Sequence, residues 1–306
     1  MRTIALLMAL LCTAPAHAKV VNVEFKFTPF IGDTKKDEVE TVPGRAVVYV
    51  NDIPISEDTV EKQQVPVLFD EREVAPSVWV SMESSKSVVR RGKNKFRVEF
   101  VPNDEKTPYK AELRWASVND EETRTGDLGH GTITNQSDEG VDTRQAKGRI
   151  VLEREFQADF ATEQKWHHYP PVASLSDEDK KELASLVAAR VDLYKPDFDK
   201  LYTFLKQNPA LEADVMRKQK CLEKAYEAGV RIAAVDAAKM QFATTGSAAV
   251  VVRGPKGGLY YPPDPEKFGK IMGDELQMCA SAALYVAFPP RLLVAKAPNG
   301  SWEVLP

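Results

Sequence analysis

The spacing of apolar residues changes once along this chain, and this change constrains the fold more than any other feature. Between Val20 and Phe160, apolar residues recur at every second position, as in the stretch VNVEFKF at 21–27. This alternation is typical of strands that bury one face. Beyond residue 175 the apolar residues recur at every third or fourth position, which is typical of amphipathic helices. Two different periods predict two separate hydrophobic cores.

The length of the chain agrees with two cores. A single core stops growing efficiently near ~250 to 300 residues, and this chain has 306. No helical pattern separates the strands of the first half, so we expect an N-terminal all-β antiparallel sandwich, followed by a C-terminal α+β domain with several amphipathic helices. The predicted boundaries are a signal peptide at 1–18, a β-sandwich domain at 19–160, an interdomain joint at 161–175 and an α+β domain at 176–306.

Turn residues divide the first half into strands. The first strand is predicted to end at Pro29, because proline cannot donate to a ladder. Residues 96–100 and 111–115 alternate so regularly that they fit an antiparallel pair, and Gly92 to Asn94 fits a tight turn before them. Further strands are expected at 46–50, 65–69, 77–82, 87–90 and 150–156.

The second half carries helix and hairpin signals. Ser176 and Asp179 form a capping box that opens a helix. The apolar face of this helix is predicted to contain Leu183, Leu186, Val187, Val191 and Tyr194. Further helices are expected to begin at Pro196, near Asn208 and at Asp264, and hairpins are expected to join 248–252 to 258–261 and 291–295 to 301–305.

The N-terminus predicts export. Arg2 precedes an apolar run from Ile4 to Cys12, and the small residues of Ala16-His17-Ala18 precede a cleavage site at Lys19. The run is too short to span a bilayer, which needs ~20 apolar residues. We therefore expect no transmembrane segment and a soluble protein that is periplasmic or secreted in a Gram-negative-like envelope.

Composition and charge narrow the class of partner. The chain is 43% hydrophobic and 28% charged, which is ordinary for a globular protein. Its net charge of -4 argues against binding to nucleic acid or to anionic lipid, because both select for excess Lys and Arg. The expected partner is a protein or a small-molecule ligand in the envelope.

Two cysteines remain after cleavage. Cys221 and Cys279 lie 58 residues apart, and thiols of exported proteins tend to pair. We predict a disulfide between them, and two buried free thiols are the alternative.

The histidines define an enzyme alternative. His130, His167 and His168, with acids such as Asp127 or Asp138, would serve a hydrolase or a metal-assisted enzyme. Adjacent histidines diverge by about 100° on a helix and point to opposite faces of a strand, so they rarely bind one metal. We therefore predict no metal, no cofactor and no catalytic residue.

The stretch WHHYPP at 166–171 is interpreted as the joint. Indole and phenol rings suit a wet interface, and consecutive prolines stiffen the path between domains. The polar residues 119–149 predict a long loop, and loops of this length are often functional. The candidates for contact with a ligand or partner are Asp127, His130, Asp138, Trp166, His167, His168 and Tyr169.

Three functional hypotheses follow. The first is a non-catalytic binding or assembly protein of the cell envelope, whose ligand meets the long loop or the groove between domains. The second is the envelope enzyme based on the three histidines. The third is a chaperone that completes the sheet of a partner through an exposed edge strand, for which residues 21–27 are the predicted strand.

Overall fold

The computed structural model describes residues 20–33, 38–67, 70–83, 85, 87–124, 132–208, 211–255 and 258–305. The predicted signal peptide therefore lies outside the described residues. The chain is mostly antiparallel β-sheet, and its α-helices lie in the C-terminal part. The chain forms two compact units. The first consists of the chain up to Val48 and of Ile55–Thr162. The second consists of Tyr49–Pro54 and of Glu163–Pro306.

Strands account for the regular structure up to residue 157. They are β1 (Val20–Asp33), β2 (Glu38–Thr41), β3 (Gly44–Val50), β4 (Ile53–Val60), β5 (Gln63–Val67), β6 (Asp70–Val74), β7 (Val78–Ser81), β8 (Lys93–Pro102), β9 (Tyr109–Arg124), β10 (Thr132–Ala146) and β11 (Ile150–Gln157).

These strands form two larger sheets. The first sheet has the order β10-β9-β1-β2, and β7 also pairs with β1 beside β2. The second sheet has the order β11-β8-β3-β4, while β5 and β6 form a separate pair. The recorded pairings of β1 with β9, β9 with β10 and β8 with β11 are all antiparallel.

Aromatic side chains from the two sheets share one core. Phe25 of β1 stacks on Phe96 of β8 with ring centroids 3.9 Å apart. Phe27 of β1 contacts Phe100 of β8 at 5.5 Å. All four residues are at most 1% exposed, as the alternation in β1 and β8 predicts.

Strand β1 continues past Pro29, so the predicted end of this strand was wrong. On one edge, Pro29 lies opposite Ala111 of β9. On the other edge, β7 pairs as far as Phe27 and β2 pairs from Phe30, so neither strand is opposite Pro29. The missing N–H therefore falls at an interruption in the pairing, where proline is tolerated.

The position of β1 also contradicts the edge-strand prediction. Residues 24–27 of this segment lie between β9 on one side and β7 on the other, and the carbonyl of Val23 accepts a hydrogen bond from the Met82 N–H, so this segment is not available to complete the sheet of a partner. The edge next to β9 is instead formed by β10.

Residues 87–92 form a loop that leads into β8, rather than the predicted strand and hairpin turn. The Asn94 side chain, which is 2% exposed, holds this loop. Its Oδ1 accepts a hydrogen bond from the Arg90 N–H at 2.8 Å, and its Nδ2 donates to the carbonyls of Arg90 and Gly92 at 2.7 and 2.9 Å. A single side chain thus satisfies three backbone groups that a partner strand would otherwise bind.

Strands β8 and β9 do not pair with each other, although their alternation fits an antiparallel pair. β8 pairs with β11 in the second sheet, whereas β9 pairs with β1 and β10 in the first. The connection at 103–108 therefore passes from one sheet to the other. Alternation shows which face of a strand is buried but does not show which strand lies beside it.

The long polar loop predicted at 119–149 is largely a hairpin. β9 continues to Arg124, and β10 returns beside it from Thr132. β10 is an edge strand with most of its described side chains in solvent, so it needs no apolar face. A strand without an apolar face carries no alternation, and its sequence resembles that of a loop.

The second unit combines short helices and a third sheet. The helices are α1 (Asp177–Arg190), α2 (Asp199–Leu205), α3 (Ala213–Gln219), α4 (Cys221–Glu227) and α5 (Asp274–Ala287). The strands are β12 (Ala233–Ala234), β13 (Gln241–Thr244), β14 (Ala249–Arg253), β15 (Tyr260–Tyr261), β16 (Arg291–Lys296) and β17 (Trp302–Val304). Within the described part of the chain, none of the helices has both the length and the hydrophobicity to span a membrane.

The third sheet has the order β13-β14-β16-β17 and shares a core with the helices. Val250 and Val294 of the sheet are fully buried in the same cluster as Leu183 of α1 and Leu222 of α4. Leu183, Leu186 and Val187 of the predicted α1 face are buried or partly buried in this cluster. Val191 and Tyr194 join the same cluster but lie beyond the end of α1 at Arg190. The predicted hairpin of β16 and β17 is also present.

Four details of the second unit differ from the prediction. The helix expected from Asp264 begins at Asp274 as α5, because Gly273 has a positive φ of 96° and separates it from a short 3-10 helix at Pro265–Lys270. The helix expected near Asn208 is two helices, because Lys220 adopts a positive φ of 56° between α3 and α4. The helix expected from Pro196 begins at Asp199. β14 pairs with β13 and β16 rather than with Tyr260–Tyr261, which pairs with Ala233–Ala234. Each difference depends on contacts that are distant in sequence.

The predicted capping box at the start of α1 is present. Ser176 Oγ accepts a hydrogen bond from the Asp179 N–H at 3.1 Å, and Asp179 Oδ2 accepts one from the Ser176 N–H at 3.0 Å. Lys296 Nζ of β16 donates to Asp179 Oδ1 at 2.5 Å. The hydrogen bonds from Lys296 and Ser176 lower the pKa of Asp179 from its ordinary value of 3.8 to about 2.

We expect Asp179 to make α1 sensitive to acid. A carboxylate whose pKa is lower in the folded state stabilises the fold above its unfolded pKa, and this contribution is lost as the pH falls from about 4 to about 2. Asp179→Asn should cost about 1 kcal/mol near pH 7, and the difference from wild type should shrink across that window. Hydrogen exchange of the α1 amides measures this difference in stability between Asp179→Asn and wild type. Asp177→Asn is the matched control, because the Asp177 side chain is fully exposed, and an equal effect of both variants would contradict the prediction.

Candidate functional site

Trp166 and His167 are buried, while His168 is exposed. The two buried rings meet edge to face with centroids 4.4 Å apart. His167 Nδ1 accepts a hydrogen bond from the Gln164 N–H at 3.2 Å. Glu163 Oε1 lies between the two histidines, 3.2 Å from His167 Nδ1 and 3.7 Å from His168 Nε2. Because its Nδ1 is used within its own turn, His167 has a local structural role here.

The other predicted site residues do not join this turn. Asp138 is exposed on β10. The Tyr169 hydroxyl donates to Glu303 Oε2 at 3.2 Å. Asp127 and His130 lie outside the described residues. Among the residues that are described, no three His, Cys, Asp or Glu side chains converge in a way that could hold a metal ion.

The predicted disulfide is confirmed. Cys221 and Cys279 are bonded, with their Cα atoms 5.9 Å apart. The bond links the first residue of α4 to the middle of α5, and Cys221 has no exposed surface. A bonded cysteine is not a thiolate nucleophile, so this pair has a structural role.

An exposed aromatic residue lies on the outer face of the first sheet, meaning the face opposite Phe25 and Phe27. Trp79 of β7 is 59% exposed. Its partner on β1 is Lys26. Arg114 of β9 lies opposite Lys26, and Val141 of β10 lies opposite Arg114. Directly opposite residues of antiparallel strands share a face, so these four side chains form one row across the sheet. We call it the tryptophan row.

A second row runs beside the tryptophan row. Glu24 of β1 lies opposite Ala116 of β9, which lies opposite Glu139 of β10. We call it the acidic row. The two rows line a shallow, open depression of about 410 Å³ on the outer face. The depression therefore has an indole at one end, cations along one row and carboxylates along the other.

The two cations of the tryptophan row, Arg114 and Lys26, differ in their ion pairing. Arg114 Nε donates to Glu112 Oε1 at 2.5 Å, and this hydrogen bond and the carboxylate charge raise the pKa of Arg114. Lys26 is exposed and makes no ion pair with any residue in the described part of the chain. The Lys26 ammonium is therefore available to donate hydrogen bonds to a ligand.

The outer face of the second sheet differs from this arrangement. Its charged side chains neutralise one another in ion pairs at 2.8 Å, which are Lys93 with Glu155, Lys95 with Glu153 and Arg149 with Glu99. Exposed pairs of this kind contribute little to stability, but they occupy the donors and acceptors of the face. On the outer face of the first sheet, Arg114 is paired with Glu112 and Glu24 accepts a hydrogen bond from Asn22 Nδ2 at 3.2 Å, while Lys26 makes no ion pair in the described part of the chain.

The strand pairing beneath the depression depends on a glycine. Gly140 of β10 lies opposite Trp115 of β9, and a Cβ atom at Gly140 would overlap the Trp115 ring. The guanidinium of Arg154 lies 3.7 Å from the centroid of this ring. The indole thus covers a glycine on an edge strand and supports the position of β10, which carries Glu139 and Val141.

Gly140→Ala is expected to displace Trp115 and to lower the free energy of unfolding by about 1 to 3 kcal/mol, because the added methyl group overfills the site. Denaturant unfolding and the near-ultraviolet circular dichroism of the indole measure both effects. Gly269→Ala is the control, since a Cβ atom there meets no atom within 4 Å. Unchanged stability and an unchanged indole spectrum for Gly140→Ala would contradict the prediction.

The described residues also contain a groove of about 500 Å³ beside the disulfide. Its apolar walls include Val215, Met216 and Leu276, and its polar groups are those of Glu212, Gln219 and Glu275. This groove can take apolar side chains, but it has few groups that would orient a ligand.

Sequence reasoning missed the tryptophan row, although one signal was present. In the stretch SVWVSM at 77–82, alternation that buries Val78 and Val80 places Trp79 in solvent. Aromatic residues are enriched at binding surfaces, so an outward tryptophan on a predicted strand is a signal that could have drawn attention to this face. Lys26, Arg114 and Val141 have no comparable signal, because only the pairing of four strands brings them beside Trp79.

Comparisons with known proteins identify no relative. No family model matches the chain, and neither a curated protein nor a solved structure shows significant similarity to it. The function is therefore argued from the residues of the candidate site.

Proposed function

We propose that this protein is an exported, non-catalytic binding protein of the cell envelope, and that the depression on the outer face of the first sheet is its ligand site. The observation that carries this proposal is the exposed Trp79 on the face of a well-packed sheet, beside Lys26, which has no ion-pair partner among the described residues. Tryptophan is enriched at binding surfaces, and here the exposed indole borders a depression that also carries charged groups.

The scaffold supports this proposal. We propose that the first unit is a β-sandwich domain, because Phe25 and Phe27 of one sheet pack on Phe96 and Phe100 of the other. We propose that the second unit is a separate α+β domain. A packed core beneath the depression holds the binding residues on strands rather than on loops, which limits the entropy lost on binding.

Export is proposed from the N-terminal sequence, and the disulfide supports it. Disulfides persist in oxidising compartments such as the periplasm and the extracellular space. The bonded Cys221 and Cys279 agree with such a location.

The alternative of a metal-assisted enzyme makes an opposite prediction. We expect the purified mature protein to contain no stoichiometric zinc, because no three His, Cys, Asp or Glu side chains converge among the described residues. Elemental analysis measures this directly. About one equivalent of zinc, lost in the double variant His167→Ala/His168→Ala, would favour the enzyme and contradict the binding proposal.

A ligand screen tests the binding proposal. Neutral sugars, anionic polymers and apolar peptides would be added separately to wild type and to Trp79→Ala, and the shift in Tm would be measured. A ligand that binds only the folded state raises Tm. We expect at least one class to raise the Tm of wild type and to have a much smaller effect on Trp79→Ala. Equal shifts in both proteins, or none in either, would contradict the proposal.

A further inference from the structure

We propose that the depression on the outer face of the first sheet binds a neutral saccharide chain, with the Trp79 indole as the surface on which a sugar ring stacks. This inference rests on the proposed function, because it names the ligand class for the same surface. Four features of the depression point to a saccharide: the indole, the mixture of donors and acceptors, the charge balance and the open shape.

The indole is the first feature. Trp79 is 59% exposed, so its ring faces solvent beside the charged groups of the depression. A sugar ring has a flat patch of C–H groups on one side and hydroxyls around its edge. Stacking the C–H patch on the indole removes apolar surface from water and leaves the hydroxyls free at the rim.

The polar groups are the second feature. Every sugar hydroxyl is both a donor and an acceptor, so a saccharide site needs both kinds of partner. Lys26 and Arg114 supply donors, while Glu24 and Glu139 supply acceptors. The register places all four in adjacent rows of the sheet. A ligand with apolar side chains alone would leave these groups without partners.

The charge balance is the third feature. Lys26 and Arg114 are opposed by Glu24 and Glu139 in the same depression, and Arg114 is additionally paired with Glu112. A polyanion would approach two carboxylates along the acidic row, which is unfavourable. A cationic polymer would meet the same obstacle at the tryptophan row. The balanced face therefore favours a ligand without net charge.

The shape is the fourth feature. The depression is open and crosses β7, β1, β9 and β10. Four neighbouring strands span about 14 Å, since strands lie about 4.8 Å apart. Sites for small molecules usually enclose most of the ligand. An open surface of this width fits a chain that lies across the sheet.

Binding to defined polysaccharides tests the inference. Mature protein would be tested for binding to cellulose, chitin, xylan, mannan, β-1,3-glucan and peptidoglycan, and oligosaccharides of any polymer that binds would be titrated by calorimetry. We expect at least one neutral polymer to bind. We expect Trp79→Ala to lower its affinity at least about tenfold, which corresponds to about 1.4 kcal/mol. Trp79→Phe should retain part of the affinity, because a smaller ring still stacks.

The stability of Trp79→Ala and two further variants separate loss of binding from loss of fold. Trp79→Ala removes an exposed side chain, so its Tm and circular dichroism should match wild type. Tyr285→Ala removes another exposed aromatic ring, 68% exposed, on α5 of the second unit. It should leave saccharide binding unchanged. Lys26→Ala should weaken binding while leaving the fold intact, since Lys26 is exposed and makes no ion pair within the described part of the chain.

The outcomes distinguish the two proposals. If no polysaccharide in the panel binds, but an anionic polymer or a peptide raises the Tm of wild type and not of Trp79→Ala, the saccharide inference is overturned and the binding proposal stands. If no ligand depends on Trp79, both are overturned. Saccharide binding that survives Trp79→Ala, or that Tyr285→Ala weakens equally, would also overturn the inference.

Discussion

Removing the disulfide in the double variant Cys221→Ala/Cys279→Ala is expected to lower the free energy of unfolding of the second unit by about 4 kcal/mol. The bond closes a loop of 58 residues, and a cross-link of that span restricts the unfolded chain by about this amount. Alanine suits the Cys221 position, which has no exposed surface, because it adds no buried hydroxyl. Denaturant unfolding followed by hydrogen exchange within α4 and α5 measures the loss.

The reduced wild-type protein is the comparison for this variant. If the cross-link acts mainly on the unfolded chain, reduced wild type and the double variant should have similar stability. The amides of β1 and β9 should exchange as in the oxidised protein, because the disulfide lies wholly in the second unit. A loss below about 1 kcal/mol in both proteins would mean that the bond contributes little to this fold.

Phe96→Ala is expected to destabilise the first unit by about 3 to 5 kcal/mol. Phe96 is 1% exposed, and its ring stacks on Phe25 of the other sheet at 3.9 Å. The variant loses the buried ring and leaves a cavity between two sheets that cannot close fully around it. Denaturant unfolding, followed by hydrogen exchange in β1 and β8, measures the effect.

A surface substitution on the same strand is the control. Val101→Ala changes a residue of β8 that is 39% exposed, so its effect should stay within about 0.5 kcal/mol. Phe96→Leu should fall between the two variants, because it restores part of the buried volume. If Phe96→Ala and Val101→Ala had equal effects, the two sheets would not share the core that the aromatic contacts describe.

Local patterns determined the regular elements of this protein. The alternation in β1 and β8 and the capping box of Ser176 and Asp179 each depend on residues close together in sequence. They predicted a strand-rich first half and the start of α1, which the structure contains. The disulfide was also predicted, because an exported chain with two cysteines has only one pairing.

Patterns of this kind failed where the decisive contact is distant in sequence. β8 and β9 alternate like a hairpin but lie in different sheets, and the polar strand β10 resembles a loop. Register and neighbour choice depend on how faces pack together, and alternation describes only one face of one strand.

The candidate site shows the same division. The sequence by itself placed Trp79 between two buried valines, and this spacing determines that its ring faces outward. Only the tertiary structure decided that Lys26, Arg114 and Val141 lie beside it, because the pairing of β7, β1, β9 and β10 aligns residues as far apart as 26 and 141. Side-chain direction follows from local backbone geometry, whereas the neighbours of a side chain on a sheet follow from the pairing of strands that are distant in sequence.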